Sequence, residues 1–287
     1  MPSLKQIRKR ISSVKNTRKI TKAMKMVSAA KLRRATEKAE ASRPYEEELL
    51  KICNTALQGV EWASPLREKR NANKICLIIM SSDRGLCGSL NTNLFKSVIR
   101  YLEANPGIQV EAVACGKKAR QFCAKRGIAI RETHTDLMRM GKYQTFEDIA
   151  SRLAAAFVKK ELDRVELFYV QFRSAMVQNP KRFTWLPFEI PEQAGTLEGA
   201  SSYLFEPDGI ELLNRLVPLL INFRVYSAFL ESIASEHAAR MTAMDAASNN
   251  CRDMMGRLTL QMNRARQAAI TKELMEIVGG AEAISAG

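Results

Sequence analysis

The sequence predicts an α/β protein in which the N- and C-terminal helices form a long antiparallel coiled coil beside a central Rossmann-like, mostly parallel sheet. Three observations lead there. Leu4 to about Arg43 holds neither Gly nor Pro and is built from residues that favour or tolerate helix. Far along the chain, from Phe223 to Ala269, one strict 3-4 spacing of mostly apolar residues persists for about seven heptads. Between the two, short apolar runs alternate with helical stretches, as right-handed crossovers between parallel strands require.

The first helix starts with Leu4, Ile7, Ile11 and Val14 in 3-4-3 spacing and continues as Thr17, Ile20, Met24 and Val27 with two extra steps of three. That pattern predicts a seam that drifts around the helix after Val14 and no regular supercoil over its whole length. Pro44 is placed to kink the helix, and Leu49, Ile52, Cys53, Ala56, Leu57 and Val60 carry it to about Gly59. Ile75–Met80 reads as a strand buried on both faces. It ends in Ser81-Ser82-Asp83-Arg84-Gly85-Leu86-Cys87-Gly88, after which Asn91 or Asn93 opens a helix to Asn105. Further strands are expected at Val110–Cys115, Ile128–Glu132 and Val165–Phe172, helices at Lys117–Lys125 and Thr145–Asp163, and a last extended piece at Arg182–Ile190. Glu192–Ser202 reads as loop. Asp208 is the expected N-cap of the last helix, Pro218 a kink, and Gly279-Gly280 its stop. Eleven of the fourteen positions Phe223, Ser227, Leu230, Ala234, His237, Met241, Met244, Ser248, Cys251, Met255, Leu258, Met262, Ala265 and Ala269 are apolar. A helix of about 60 residues is about 90 Å long, more than any domain of this chain spans, so the terminal helices must project together. The domains follow: helix over 1–60, α/β body over 73–191, loop or foot over 192–207, and helix over 208–287.

A chain of 287 residues is one large domain or two ordinary ones. No run of about 18 uncharged apolar residues is evident, and no apolar signal segment follows Met1, so an intracellular soluble chain is expected. The net charge of +15 is unevenly placed: the first 34 residues carry 12 of the 45 basic side chains and none of the 30 acidic ones. Such a segment attracts nucleic acid, an anionic membrane or an acidic protein surface. Six cysteines without a CxxC pair and only two histidines support neither a disulfide framework nor a zinc site, so no metal is expected and the thiols read as reduced core residues.

Catalytic motifs are thin. The Asp83–Gly88 turn lacks G-x-G-x-x-G and the following acidic residue, and Glu111 stands where a P-loop ending in Gly116-Lys117-Lys118 needs glycine. The turn therefore reads as a tight structural turn open to a partner, and no cofactor is expected. His134 falls in a loop and His237 on the seam. Cys87 has no neighbouring histidine and reads as inert. Met24, Met26, Met241, Met244, Met255 and Met262 lie on or beside the seams, either as gap-filling core or as a smooth surface that tolerates several packings.

Four long segments carry a family resemblance. They are Ile20–Arg33, Ser82–Gly88, Ser235–Ser248 and Asn263–Val278, and in order and content they resemble the signature segments of the gamma subunit of rotary F-type ATP synthases. The likeness covers the whole chain, and the chloroplast-type regulatory insertion with its cysteine pair is absent. The resemblance implies a central rotor shaft without catalytic residues of its own. One copy stands in a hexamer of three alpha and three beta subunits, and the body rests on the c-subunit ring beside epsilon. It further implies a peripheral place on the cytoplasmic face of a bacterial inner membrane, and torque that couples ion flow to ATP synthesis or hydrolysis.

By the same resemblance Arg266, Gln267, Thr271 and Glu273 match positions that contact beta near the top of the shaft. Lys19, Lys22, Lys25, Lys31, Arg33 and Arg34 match the basic face towards acidic levers of beta, the last three also being assigned to the c-ring and epsilon foot. Met24 and Arg240 match positions tied to coupling, and Asp83, Arg84, Tyr203 and Glu206 match the foot. Two other classes compete. A nucleic-acid-binding coiled coil would track phosphates along the first helix, although residues 1–44 hold no aromatic side chain for stacking. A small nucleotide-dependent enzyme on the sheet would need the missing phosphate fingerprint and acid/base cluster.

Overall fold

A computed structural model describes residues 4–57, 62–137, 142–190, 206 and 208–285. In order these form α1 (Leu4–Ala56), β1 (Lys74–Met80), α2 (Leu90–Ala104), β2 (Gln109–Cys115), α3 (Lys117–Arg126), β3 (Ala129–His134), α4 (Tyr143–Val158), β4 (Arg164–Phe172), β5 (Gln178–Leu186) and α5 (Gly209–Ser285). The expected ends Gly59 and Val60, and the loop Glu192–Ser202, lie outside the described residues.

The sheet order is β3-β2-β1-β4-β5. Its first four strands are parallel, and β5 runs antiparallel along β4 as an edge. β1 is central and buried along six of its seven residues, as expected for a continuous apolar run covered on both faces. Its side chains alternate between two cores. Cys76, Ile78 and Met80 join Phe146, Leu153 and Phe157 of α4 and Leu213, Val217 and Ile221 of α5. Ile75, Leu77 and Ile79 join Leu94 and Val98 of α2 and Ala119 and Cys123 of α3. Pro180 sits within β5 opposite Val170, tolerated because an edge strand need not donate from every position.

The chain divides into two compact units, one of residues 28–240 that contains the sheet and one of residues 1–27 with 241–287. In the first, Arg43 Nη2 lies 3.5 Å from Glu231 Oε1, the Tyr45 and Phe223 rings are 4.7 Å apart, and Arg224 Nε lies 3.7 Å from Glu46 Oε1. In the second, Lys25 Nζ lies 2.6 Å from Asp245 Oδ1. Partners on α5 fall in number as those on α1 rise, so the helices of the first unit are antiparallel.

The seam of α1 differs from the expected one. Thr17 is exposed, and Ile20 and Val27 are 60% and 57% exposed, whereas Thr21 and Ser28 are 8% and 3% exposed. Burial follows Leu4, Ile7, Ile11, Val14, Arg18, Thr21, Lys25, Ser28, Leu32, Ala35, Ala39, Ser42, Glu46, Leu49, Cys53 and Ala56, an unbroken 3-4 register. The seam does not drift. Coiled-coil geometry fixes which face is covered, and small or polar residues occupy it where the sequence offers no apolar one. On α5 the expected register coincides with the less exposed positions from Met244 to Ala269, whereas between Phe223 and Ala239 burial spreads over most of the helix and Phe223, Ser227 and His237 are only half-buried.

Other expectations are corrected at their ends. α1 and α5 continue past Pro44 and Pro218 as single helices, which is compatible with a kink at each proline. α5 passes through Gly279-Gly280 to Ser285 rather than stopping there, since neither glycine turns left-handed. Asp208 does cap it, Oδ1 accepting from the Glu211 N–H at 2.7 Å. α2 opens at Leu90 instead of Asn91 or Asn93, and the Asn91 side chain braces the preceding turn. One window inside Gly209–Gly280 reaches a mean hydropathy of 1.3, enough by length and composition to cross a membrane, although no 18-residue stretch there is free of charged residues. Half of that window is buried in protein, and Leu213, Val217, Leu220, Ile221 and Val225 of α5 are core side chains.

Candidate functional site

In the helical unit of residues 1–27 and 241–287, the covered face is narrow and the remaining surface is distinctive. Lys19 and Lys22 are exposed beside the uncovered Ile20, Met26 and Val27, while Met24 is half-buried. Lys25 is held by Asp245 across the pair of helices. α5 is exposed at every position from Ile270 to Gly280, including Leu274, Met275, Ile277 and Val278. Arg266, Gln267, Thr271 and Glu273 are exposed on this stretch, with the Thr271 hydroxyl donating to the Gln267 carbonyl at 3.0 Å. A solitary helix end rich in large apolar side chains is a surface made to be covered.

In the unit of residues 28–240 the turn after β1 is tightly built. Ser82 Oγ donates to the Arg84 carbonyl at 2.7 Å and accepts from Asn91 Nδ2 at 2.7 Å, and the Ser82 N–H donates to Asn91 Oδ1 at 3.2 Å. The first amides of α3, which in a nucleotide-binding fold would face phosphate, are used internally. Lys117 N–H donates to Asp83 Oδ1, Lys118 N–H to the Ser82 carbonyl and Ala119 N–H to Ser81 Oγ. Gly116 makes this approach feasible: φ is +97°, and a Cβ there would meet the Ser81 oxygen at 2.2 Å.

The strand order reverses between β1 and β4, where doubly wound sheets usually bind ligands. Here α5 fills that place. Ser232 Oγ accepts from the Val170 N–H at 3.3 Å and Ser235 Oγ donates to the Val170 carbonyl at 2.9 Å. One turn further, Arg240 donates to the carbonyls of Arg84 and Gly85 at 3.4 and 3.3 Å and pairs with Glu236 at 2.7 Å, their side chains 11% and 7% exposed. Burial raises the Glu236 carboxyl pKa against the pull of Arg240. His237, whose Nδ1 is buried without a hydrogen bond, is pushed down to about 4 by burial and then by Arg240 and Lys31. Cys87 is buried, and burial raises its thiol.

The structure thus brings Asp83, Arg84, Arg240 and Lys31 to one region. Arg33 pairs with Glu37 on the exposed face nearby in sequence, and Arg34 is exposed. Glu206 is exposed just before α5 begins, and Arg240 lies 31 residues beyond Gly209, a helical distance of about 47 Å. It therefore cannot share one contact patch with Asp83 and Arg84. Tyr203 lies outside the described residues. Sequence reading missed Glu236, Asp245 and Asn91; the Glu236–Arg240 spacing of four on one helix was a readable signal for the first.

The family model described as ATP synthase matches residues 3–284. The chain is 47% identical over 288 residues to the ATP synthase gamma chain of Geotalea uraniireducens, covering 99% of both. Its fold is similar to a chain in the mitochondrial ATP synthase of Euglena gracilis captured in one rotational state, with a TM-score of 0.72, 23% identity, and coverage of 99% of this chain and 95% of that one. It is also similar to a chain of the central stalk and c-ring of the Tetrahymena thermophila mitochondrial ATP synthase, with a TM-score of 0.59, 25% identity, and coverage of 80% and 99%. A family match over residues 3–284 and 47% identity over the whole chain together assign the chain to the ATP synthase gamma-chain family.

Proposed function

We propose that the chain is the turning shaft of its ATP synthase, carrying torque between an ion-driven c ring and the catalytic alpha and beta subunits, and that it contributes no catalytic residue itself. The observation that carries this reading is the helical unit of residues 1–27 and 241–287, which has a seam but no sheet, a basic first helix and an apolar end left uncovered. The occupied crevice at the strand reversal supports a mechanical rather than a nucleotide-binding body. One charge crossing 100 mV yields about 2.3 kcal/mol, so the work of several ions has to be summed through one stiff element before an ATP forms. A rotor shifts a neighbouring subunit between states only by touching those states differently, so the lopsided distribution of charge and apolar surface is the working feature.

In this reading Lys19, Lys22, Arg266, Gln267, Thr271 and Glu273 meet beta, and the apolar end of α5 seats in a surrounding sleeve of alpha and beta. Asp83, Arg84, Lys31, Arg33 and Arg34 belong with Arg240 on the side of the beta levers, and Met24, in the helical unit, is a separate coupling position. Tyr203 and Glu206 remain with the foot on the c ring and epsilon, the separation along α5 supporting that division. The complex then holds one copy, peripheral to the cytoplasmic face of the membrane. Two steps test this. The chain mixed with alpha and beta subunits is expected to form an ATP-hydrolysing particle, and failure to co-assemble would remove the proposal. Truncation after Gln261 is expected to leave the body folded while lowering the torque of the particle; unchanged torque would remove the role of the α5 end.

A further inference from the structure

Within the helical unit the seam of α1 begins with the apolar Leu4, Ile7, Ile11 and Val14 and then turns polar at Arg18, Thr21 and Lys25. Counted from the Lys25–Asp245 pair, an antiparallel partner places Ser248 and Cys251 of α5 at the level of Thr21 and Arg18, with Met244 the one large apolar side chain buried beside Asp245. Apolar knobs fix the register of two helices because a slip uncovers them; Thr, Ser and Cys offer little to lose by slipping. Lys25 Nζ and Asp245 Oδ1, 2.6 Å apart with side chains 41% and 47% exposed, span this stretch. An ion pair so exposed adds little to stability, but like a polar residue in a coiled-coil seam it distinguishes one register from another.

We propose that Lys25 and Asp245 are positioning residues that lock the register of the two helices at the thin part of their seam, rather than Lys25 being a contact for a neighbouring subunit. The proposal rests on the shaft reading above. A slip or twist here would be lost motion between the ends of the shaft, and it would show as ATP hydrolysis that moves fewer ions.

The test uses the assembled ATP synthase in membrane vesicles and measures ATP-driven ion transport per ATP hydrolysed for wild type, K25E, D245K and the exchanged K25E/D245K. Each single exchange sets two like charges together, and a fall of about two- to fivefold in the ratio is expected, with hydrolysis retained. The double exchange restores an ion pair of opposite polarity and is expected to recover most of the wild-type ratio. A double variant as poor as K25E, or single variants with the wild-type ratio, would overturn the register lock; the former would return Lys25 to an intersubunit contact. Should the wild-type particle itself couple hydrolysis to no transport, it is the shaft reading that fails.

Discussion

Arg240 is where the chemistry of single residues converges. Its guanidinium neutralises a buried carboxylate, Glu236, and caps two carbonyls of the turn at Arg84 and Gly85. Glu236→Ala would leave that guanidinium with no partner on its own helix, and removing one member of a largely buried pair costs about 3 kcal/mol or more. Thermal unfolding of the full chain is expected to show E236A clearly less stable than wild type, and a wild-type melting temperature would contradict the pairing. His237 adds a pH dependence whose sign can be worked out. Its folded pKa of about 4 lies below the ordinary 6.5, so between those values the unfolded chain binds the proton and the folded chain does not. Stability should therefore fall as pH drops from 6.5 to 4. H237Q should flatten that part of the urea-midpoint profile. Glu132, lowered to about 2 chiefly by its hydrogen bonds from Arg152, acts in the same direction nearer pH 4 and is unaffected by that substitution.

At the level of elements, the sheet was legible because its strands are short apolar runs between turn residues, and that pattern admits few alternatives. The far part of α5 was legible for a similar reason: from Met244 to Ala269 the apolar register marks its covered face, while against the body the helix is buried more widely than one register. α1 was misread beyond Val14 because two of its large apolar residues there are not buried. Ile20 and Val27 drew the expected seam around the helix, while the structure buries Thr21, Ser28, Ala35 and Ala39. A helix that must also meet other subunits places apolar side chains on its outer face, and periodicity alone cannot tell which contact each serves. The two kinds of position should separate in unfolding experiments on the full chain. Ile7→Ala, at a site 2% exposed, is expected to cost about 2 kcal/mol or more, and Ile20→Ala, at 60%, less than about 0.5 kcal/mol. Equal losses would contradict the seam. Gly116→Ala tests the turn in the body: a Cβ 2.2 Å from the Ser81 oxygen, on a backbone at φ +97°, should cost about 2 kcal/mol or more and loosen the stack of the two turns.

On the scale of the whole molecule, the candidate residues resolve into groups, two in the helical unit and two in the unit of residues 28–240. Exposed polar residues and an apolar end lie at 266–278, a basic row with Lys19 and Lys22 on α1, a turn pinned by Arg240, and Glu206 about 47 Å of helix away from that pin. The resemblance of signature segments gave these residues one by one. Their division could not be read from sequence, because it depends on which part of α5 packs on the turn after β1, and that is Arg240. Partner surfaces were legible only as charge: a row of lysines says that something acidic is near, and the family supplies what. The proposal that the chain turns is tested most directly by fixing the alpha and beta subunits of the assembled particle to a surface and following a probe attached to the body of this chain during ATP hydrolysis. Sustained one-way rotation in discrete steps, slowing as ATP is lowered, is the expected record; a probe that stays fixed while hydrolysis continues would contradict it.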